Sequence, residues 1–504
     1  MSLKNVRIVI AAAVFAATAL FSGCAVGPNF HRPAPPTIDS YTAEPLATTT
    51  STGNLPGGEE QRFVKGMDIP QQWWGLFKSP PLNALIEKSL KANPTIDAAK
   101  AALRQARENV FAQMGSYYPT VQAGYSASRA KDSGTVSPVP SSGNEPYNLH
   151  TAQVNVGFTP DVFGGNRRQV ESLQAQADFQ RFQLEATYLT LTSNVVAAAI
   201  QEASLRAQIA ATQSMIKIET QMLDQLRRQF EVGYIAGLEV AAQEAALAQV
   251  QQTMPPLQRQ LAQTRDLLAA LAGRFPNEEL EEQFALAALS LPQELPVSLP
   301  SRLVEQRPDI RAAEEQLHSA SAQVGVAVAA MLPNITLSAN LGSTAAEFSQ
   351  LFTSGTGFWS LAGNLTQPLF QGGTLLHRKR AAEAAYDQAA AEYRSAVITA
   401  FQNVADTLHA LQSDADALNA ATAFDQAAKR SLDLARRQFD VGYVNYSSLL
   451  SAEQAYQQAV INLVQAQANR FADTAALFMA LGGGWWNGPD DTSAPTTSAA
   501  SGRR

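Results

Sequence analysis

The chain has 504 residues, with 37 Lys and Arg against 44 Asp and Glu, a net charge of −7 and a single cysteine. A mildly acidic chain without a basic stripe argues against nucleic acid as a partner. Charged residues make up only 16% of it, against an average of roughly 25%, and the Ala- and Gln-rich remainder suits long helices with many neighbours.

The N-terminus reads as a secretory signal. Lys4 and Arg7 precede an apolar run from Ile8 to Phe21, and small residues close it at Ser22-Gly23-Cys24. A basic start, a short apolar core and a small-residue end describe a cleaved signal rather than a membrane span. Phe21-Ser22-Gly23-Cys24 resembles a bacterial lipobox, so residues 1–23 are expected to be a lipoprotein signal peptide and Cys24 the lipidated first residue. Phe21 departs from that motif, in which Leu is usual. Ala25 follows the cysteine in place of Asp, a choice that favours the outer membrane. Residues 24–92 are expected to form an extended segment and a short helix.

The next 400 residues say the same thing twice. Arg227-Arg228-Gln229-Phe230-Glu231-Val232-Gly233-Tyr234 returns, 209 positions on, as Arg436-Arg437-Gln438-Phe439-Asp440-Val441-Gly442-Tyr443. Pro94 and Pro119 return as Pro308 and Pro333, and Pro160 with Gly164-Gly165 returns as Pro368 with Gly372-Gly373. A period this long is no solenoid, whose repeats run at roughly 20–50 residues. The expected units are a first repeat at 93–275, holding a helix, two strands and a long helical hairpin, a linker at 276–306, a second repeat at 307–484, and a disordered tail at 485–504.

Each repeat carries two alternating runs. Val121, Ala123, Tyr125 and Ala127 interleave with polar or small residues, as do Ala152, Val154, Val156 and Phe158. Ile335, Leu337, Ala339 and Leu341, then Trp359, Leu361, Gly363 and Leu365, repeat the pattern. Runs of this length suit tilted strands that cross a bilayer, with one residue set on each face. Four strands cannot close a barrel in lipid, where an open edge leaves backbone groups unpaired, so several chains are expected to complete one. Lys131–His150 reads as an outer loop, and Ala345–Gly357 as its shorter counterpart.

Long helices follow. No proline occurs from Gly164 to Glu231, and Val170, Ala177, Leu184, Leu191 and Ala198 recur every seven positions. Phe182, Leu189, Val196 and Ala203 form a second stripe, so the helix is expected to pack against a neighbour on each side. A second long helix is expected from about Gly373 to Phe439. Gly233 and Gly442 suit the left-handed turn that closes a helix, with return helices beyond them. Pro255-Pro256 is expected to kink or break the first return helix.

Several further segments carry a family resemblance. Cys24-Ala25-Val26-Gly27-Pro28-Asn29-Phe30, Trp73-Trp74-Gly75-Leu76-Phe77, and Gln306-Arg307-Pro308-Asp309-Ile310-Arg311 resemble the TolC-like outer membrane efflux proteins, in their lipoprotein branch serving resistance-nodulation-division pumps. The resemblance spans about residues 24–484. It implies a mainly α fold with a membrane β part: a homotrimer whose α-barrel of long coiled-coil helices continues a 12-stranded outer membrane β-barrel, four strands per chain. It implies a passive exit duct in the outer membrane, lipid-anchored, joined by a periplasmic adaptor to an inner membrane transporter, with no cofactor and no chemistry. Adaptor docking is expected at the hairpin tips, at Phe230, Gly233, Tyr234, Phe439, Gly442 and Tyr443. The family's periplasmic gate often carries aspartates where this chain has Ser448 and Ser451, so Asp440, Tyr443, Tyr446 and Glu453 are the gate candidates here, each also readable as a solvated helix face.

Two other readings stay open. One is a type I protein secretion duct, against which the lipobox and Arg307-Pro308-Asp309-Ile310 argue. The other is a structural periplasmic lipoprotein without a pore, against which the four alternating strands argue. The five histidines, His31, His150, His318, His377 and His409, are scattered. With no metal-ligand spacing, phosphate loop or nucleophile elbow, the sequence reads as that of a protein that is not an enzyme.

Overall fold

The computed structural model describes residues 25–44, 46–53, 55–131 and 145–488. The expected signal peptide, Cys24, most of the expected outer loop and the expected tail beyond 488 lie outside the described residues. In chain order, β1 spans Arg62–Lys65, α1 Pro80–Ala92 and α2 Pro94–Met114. The strands β2 (Thr120–Ala130) and β3 (Tyr147–Phe158) lead into α3 (Gly165–Glu231) and α4 (Gly237–Leu271). Then come β4 (Glu294–Val297), α5 (Pro300–Gln306) and α6 (Pro308–Ala329). The second pair β5 (Asn334–Ala345) and β6 (Gly357–Thr366) leads into α7 (Thr374–Asp440) and α8 (Tyr446–Ala480). The duplication is carried to the residue: α3 and α7 each have 67 residues, and α4 and α8 each have 35.

Three details differ from expectation. Tyr147–His150 belong to β3 rather than to a loop, because each pairs across to β2. Trp485–Asn487 form a 3-10 turn instead of tail: the Trp485 indole donates to the Gln306 carbonyl at 2.7 Å, and Asn487 donates to Asp68 at 2.9 Å. Of the kink or break expected at Pro255 and Pro256, the break is absent, because α4 runs through them. Their missing N–H groups leave the carbonyls of Gln251 and Gln252 without the usual helical donors.

The chain divides into two compact units, each assembled from both repeats. The first unit holds residues 102–180 and 312–393 together with the start of the chain, and so contains β2, β3, β5 and β6, whereas β1 and β4 belong to the second. Here Val170 and Ala177 of the heptad stripe are buried against Val110, with Ala106, Met114 and Leu173 packed on them. Behind them Ser172 and Ser319 share a hydrogen bond at 2.8 Å, so small side chains let α3 and α6 approach closely.

The second unit contains residues 34–101, 181–311 and 394–504. The rest of the stripe, Leu184, Leu191 and Ala198, is buried here, as are Phe182, Val196 and Ala203 of its companion. Burial of both stripes, apart from a half-buried Leu189, is what a neighbour on each side of α3 requires. Trp73 stacks on Phe478 at 5.3 Å, while Leu82, Leu85 and Ile86 of α1 are fully enclosed. An extended segment is fastened by one cation: Arg470 of α8, 1% exposed, donates to the carbonyls of Leu411 at 3.0 Å, Glu59 at 3.1 Å and Gly57 at 3.3 Å. Burial, together with the adjoining Asp414 carboxyl, holds Asp473 above the ordinary carboxylate range. Arg470→Leu would leave these carbonyls and acids without their cation, a loss of roughly 3–5 kcal/mol. Thermal unfolding of the purified protein should show a lower Tm, and limited proteolysis should cut first between residues 47 and 61.

Candidate functional site

Two regions carry the features that matter for function. The first is the sheet, antiparallel in the order β2-β3-β5-β6. Its register sets Val121 opposite Val156, Val156 opposite Ala339, and Ala339 opposite Leu361. The neighbouring row is Ala123, Val154, Leu341 and Trp359. Directly opposed residues share a face, so all four apolar sets lie on one side. The intervening row, Gln122, Asn155, Asn340 and Ser360, lies on the other. Arg129 is the only Lys, Arg, Asp or Glu in the four strands. Val121, Trp359, Leu361 and Leu365 are exposed, an apolar surface that a water-soluble sheet would cover. β2 and β6 are each paired on one side only.

The second region is the pair of hairpin tips. At the first, the Tyr234 amide donates to Gln229 O and the Gly233 amide to Phe230 O, both at 2.9 Å. At the second, Tyr443 donates to Gln438 O at 2.8 Å and Gly442 to Phe439 O at 3.0 Å. This is the Schellman closure of a helix, which needs a left-handed residue. Gly233 and Gly442 both have φ of +78°. Nothing lies within 4 Å of where a Cβ would stand on either, so backbone conformation, not crowding, selects glycine. Tyr234 and Tyr443 are each 83% exposed, and Phe230 and Asp440 are exposed as well. Phe439 differs: it is half-buried and meets the Tyr446 ring edge-on at 6.1 Å.

The other two gate candidates are not on a solvated face. Tyr446 and Glu453, both on α8, are buried among α3, α4 and α7 of the same chain. The Tyr446 hydroxyl donates to the Gln243 amide oxygen. The Gln243 amide nitrogen donates to Glu219 Oε2 at 2.6 Å and to the Glu219 carbonyl at 3.0 Å. Gln457 donates to Glu219 Oε1 at 3.1 Å, and Arg436 to Glu453 Oε1 at 3.3 Å. Glu219 and Glu453 are each 2% exposed. Burial pushes the Glu453 carboxyl up to about 7; the Glu219 charge adds to this and Arg436 opposes it. Burial raises Glu219 as well. One polar cluster thus ties the first hairpin to the second just behind their tips, while Asp440 and Tyr443 stand apart from it.

Glu219, Gln243 and Arg436 escaped the sequence reading. Arg436 had a signal. Glu244 and Glu453 are 209 apart, and so are Arg227 and Arg436; the structure pairs Arg227 with Glu244 at 2.7 Å just as it pairs Arg436 with Glu453. Glu219 and Gln243 have Ala428 and Ala452 as their repeat equivalents, so the duplication could not have marked them. Among the described residues, no group of three or more His, Cys, Asp or Glu could hold a metal ion, and no helix is long and apolar enough to cross a membrane.

Comparison with known proteins places these features. The family model of outer membrane efflux proteins matches the chain twice, at residues 85–274 and 299–483. The pyoverdine export outer membrane protein OpmQ of Pseudomonas putida is 30% identical over 88% of this chain and 94% of its own length. The toluene efflux pump outer membrane protein TtgC, also of Pseudomonas putida, is 28% identical over 93% of this chain and 94% of its own. Among solved structures, the outer-membrane channel OprN superposes with a TM-score of 0.81 at 26% identity, covering 92% of this chain and all of that one. A one-sided apolar sheet, paired long hairpins and a family match in each half have one common explanation: this chain belongs to the outer membrane efflux protein family.

Proposed function

We propose that three copies of this chain close a twelve-stranded barrel in the outer membrane and form the passive exit duct of a tripartite efflux pump. The observation that carries this reading is the four-stranded sheet with its aligned apolar face and two unpaired edges. Edge groups in hydrocarbon must find partners, and a neighbouring copy supplies them, β6 of one chain running antiparallel to β2 of the next. Two copies would give about eight strands, an interior just filled by side chains. Three leave a lumen, lined by the Gln122, Asn155, Asn340 and Ser360 row. The uncharged polar wall suits a duct that leaves selection to the pump, and the relatives' names span pyoverdine and toluene. Small organic molecules are therefore the proposed cargo.

The tips are the proposed docking points for a periplasmic adaptor, which would connect the duct to an inner membrane transporter of the resistance-nodulation-division class. Phe230, Gly233, Tyr234, Phe439, Gly442 and Tyr443 would form that surface. Its support is exposure: two tyrosines that fill no core stand beside glycine turns of fixed shape. Asp440 and Tyr443 are the proposed outward gate residues. The Glu219–Gln243–Tyr446–Glu453 cluster is the latch that must slip when the second hairpin moves against the first. Lipidation of Cys24 would hold the chain at the membrane in addition to its strands.

Native mass spectrometry of the detergent-extracted protein should give three chains, and planar bilayers should show conductance; a stable monomer would sink the duct. Leu361→Arg, on the apolar face, should cost roughly 2–4 kcal/mol near the bilayer midplane and lower the yield of outer membrane trimer. Ser360→Arg on the opposite face should leave that yield intact and change the ion selectivity of the channel. The double change Tyr234→Ala with Tyr443→Ala should leave trimer and Tm unaltered while cells lose drug resistance. The cluster has a pH signature. A carboxyl raised by folding favours the folded state below its unfolded value, here 4.5, and that contribution is lost as pH climbs through about 7. Glu453→Gln should therefore flatten the fall in Tm between pH 4.5 and 7, and a mutant Tm that still falls as steeply would remove Glu453 from the latch.

A further inference from the structure

In the first unit a cavity of about 500 Å³ opens at the foot of the strands. Its walls are mostly carbon, from Tyr117, Phe158, Pro160, Val162, Ile335 and Leu337, with Ser116 and Thr159 as the uncharged polar lining. Phe158 lies opposite Leu337 in the β3–β5 register, and Ile335 is two residues along the same strand. These three side chains therefore belong to the apolar face of the sheet, the face turned to lipid in the reading above. The only charged residues lining the cavity are Asp161 and Arg167, paired with each other at 3.6 Å. It carries no net charge, so it suits a hydrocarbon chain and not an anionic headgroup.

The start of the described chain lies against the same wall. A Cβ built on Gly164 would stand 2.6 Å from Ala25 and 3.5 Å from Arg167 Nε, so Ala25 and a cavity-lining residue flank one glycine. The Val26 amide donates to the Phe163 carbonyl at 3.1 Å. Further along, Arg168 donates to the Val26 carbonyl at 3.1 Å and to Asn29 Oδ1 at 2.6 Å. Phe30 stacks on the His318 ring at 4.4 Å. This segment is pinned from Val26 to Phe30, and Cys24 directly precedes Ala25 in the chain. Consecutive Cα atoms are about 3.8 Å apart, so a lipid on Cys24 is tethered close to this wall.

We infer that this cavity seats an acyl chain of the lipid carried on Cys24. The inference rests on the lipoprotein reading of the N-terminus and goes beyond it. Seating fixes where the anchor enters the bilayer relative to the strands, and it fills with hydrocarbon a hollow that strands and helix ends leave open. A tethered chain has a high effective concentration at a site within its reach, which favours it over free membrane lipid.

The test uses the full-length protein in bacterial outer membranes, from cells fed a palmitate that carries a diazirine and an alkyne. After irradiation and purification, intact mass reads lipidation, and peptide mass spectrometry maps the cross-links. The expected result is a cross-link joining the Cys24 peptide to peptides containing Tyr117, Phe158 or Leu337. Leu337→Trp, which fills the hollow, should cut that cross-link about fivefold by taking the space where the acyl chain would be buried, with intact mass and trimer yield unchanged. A lipidated protein with no such cross-link, or one whose cross-linked lipid is a free phospholipid, overturns the inference and spares the lipoprotein reading. An intact mass without lipid overturns both.

Discussion

The constraint on which the rest depends is the obligation of backbone N–H and C=O groups to pair where no water can reach them. A sheet of four strands always has two open edges, and in this chain those edges flank an apolar face. Nothing among the described residues closes them: there β2 bonds only to β3, and β6 only to β5. The fold is incomplete until another copy arrives, so assembly and membrane insertion become one problem. The near absence of charge in the strands follows from it, since a charge on the lipid side would oppose the insertion that satisfies the edges.

The helices answer a different demand. A helix of 67 residues cannot be stabilised by a single local core, so it draws on neighbours along its length. The heptad stripes supply them, and small residues such as Ala177, Ser172 and Ser319 keep the axes close. Two of the enclosed charged groups are enclosed in sets. Arg470 serves three carbonyls, and Glu219 is met by Gln243 and Gln457. Such sets fix the register of long helices that could otherwise slide by a heptad, because a slide would strand a buried charge.

Much of this was legible in the sequence because it repeats or alternates. Period two marked the strands, and period seven the faces of α3. The Arg-Arg-Gln-Phe echo located both tips to the residue. What could not be read depends on contacts between distant segments. Glu453 has a polar side chain on a helix and nothing local that says it is buried; only the approach of Glu219, 234 positions earlier, reveals it. Trp485 looked like the start of a polar tail, and it is held by a carbonyl 179 residues away. The extension of β3 back to Tyr147 follows from pairing with β2, not from its own composition.

Duplication usually leaves two copies mechanically alike. Here the copies of the return helix match in length, yet only α4 contains adjacent prolines. With two backbone hydrogen bonds missing on one turn, α4 is the more easily bent of the two and α8 the stiffer lever. A duplicated hairpin has thus become an unequal pair, whose return helices differ in backbone bonding at a single turn.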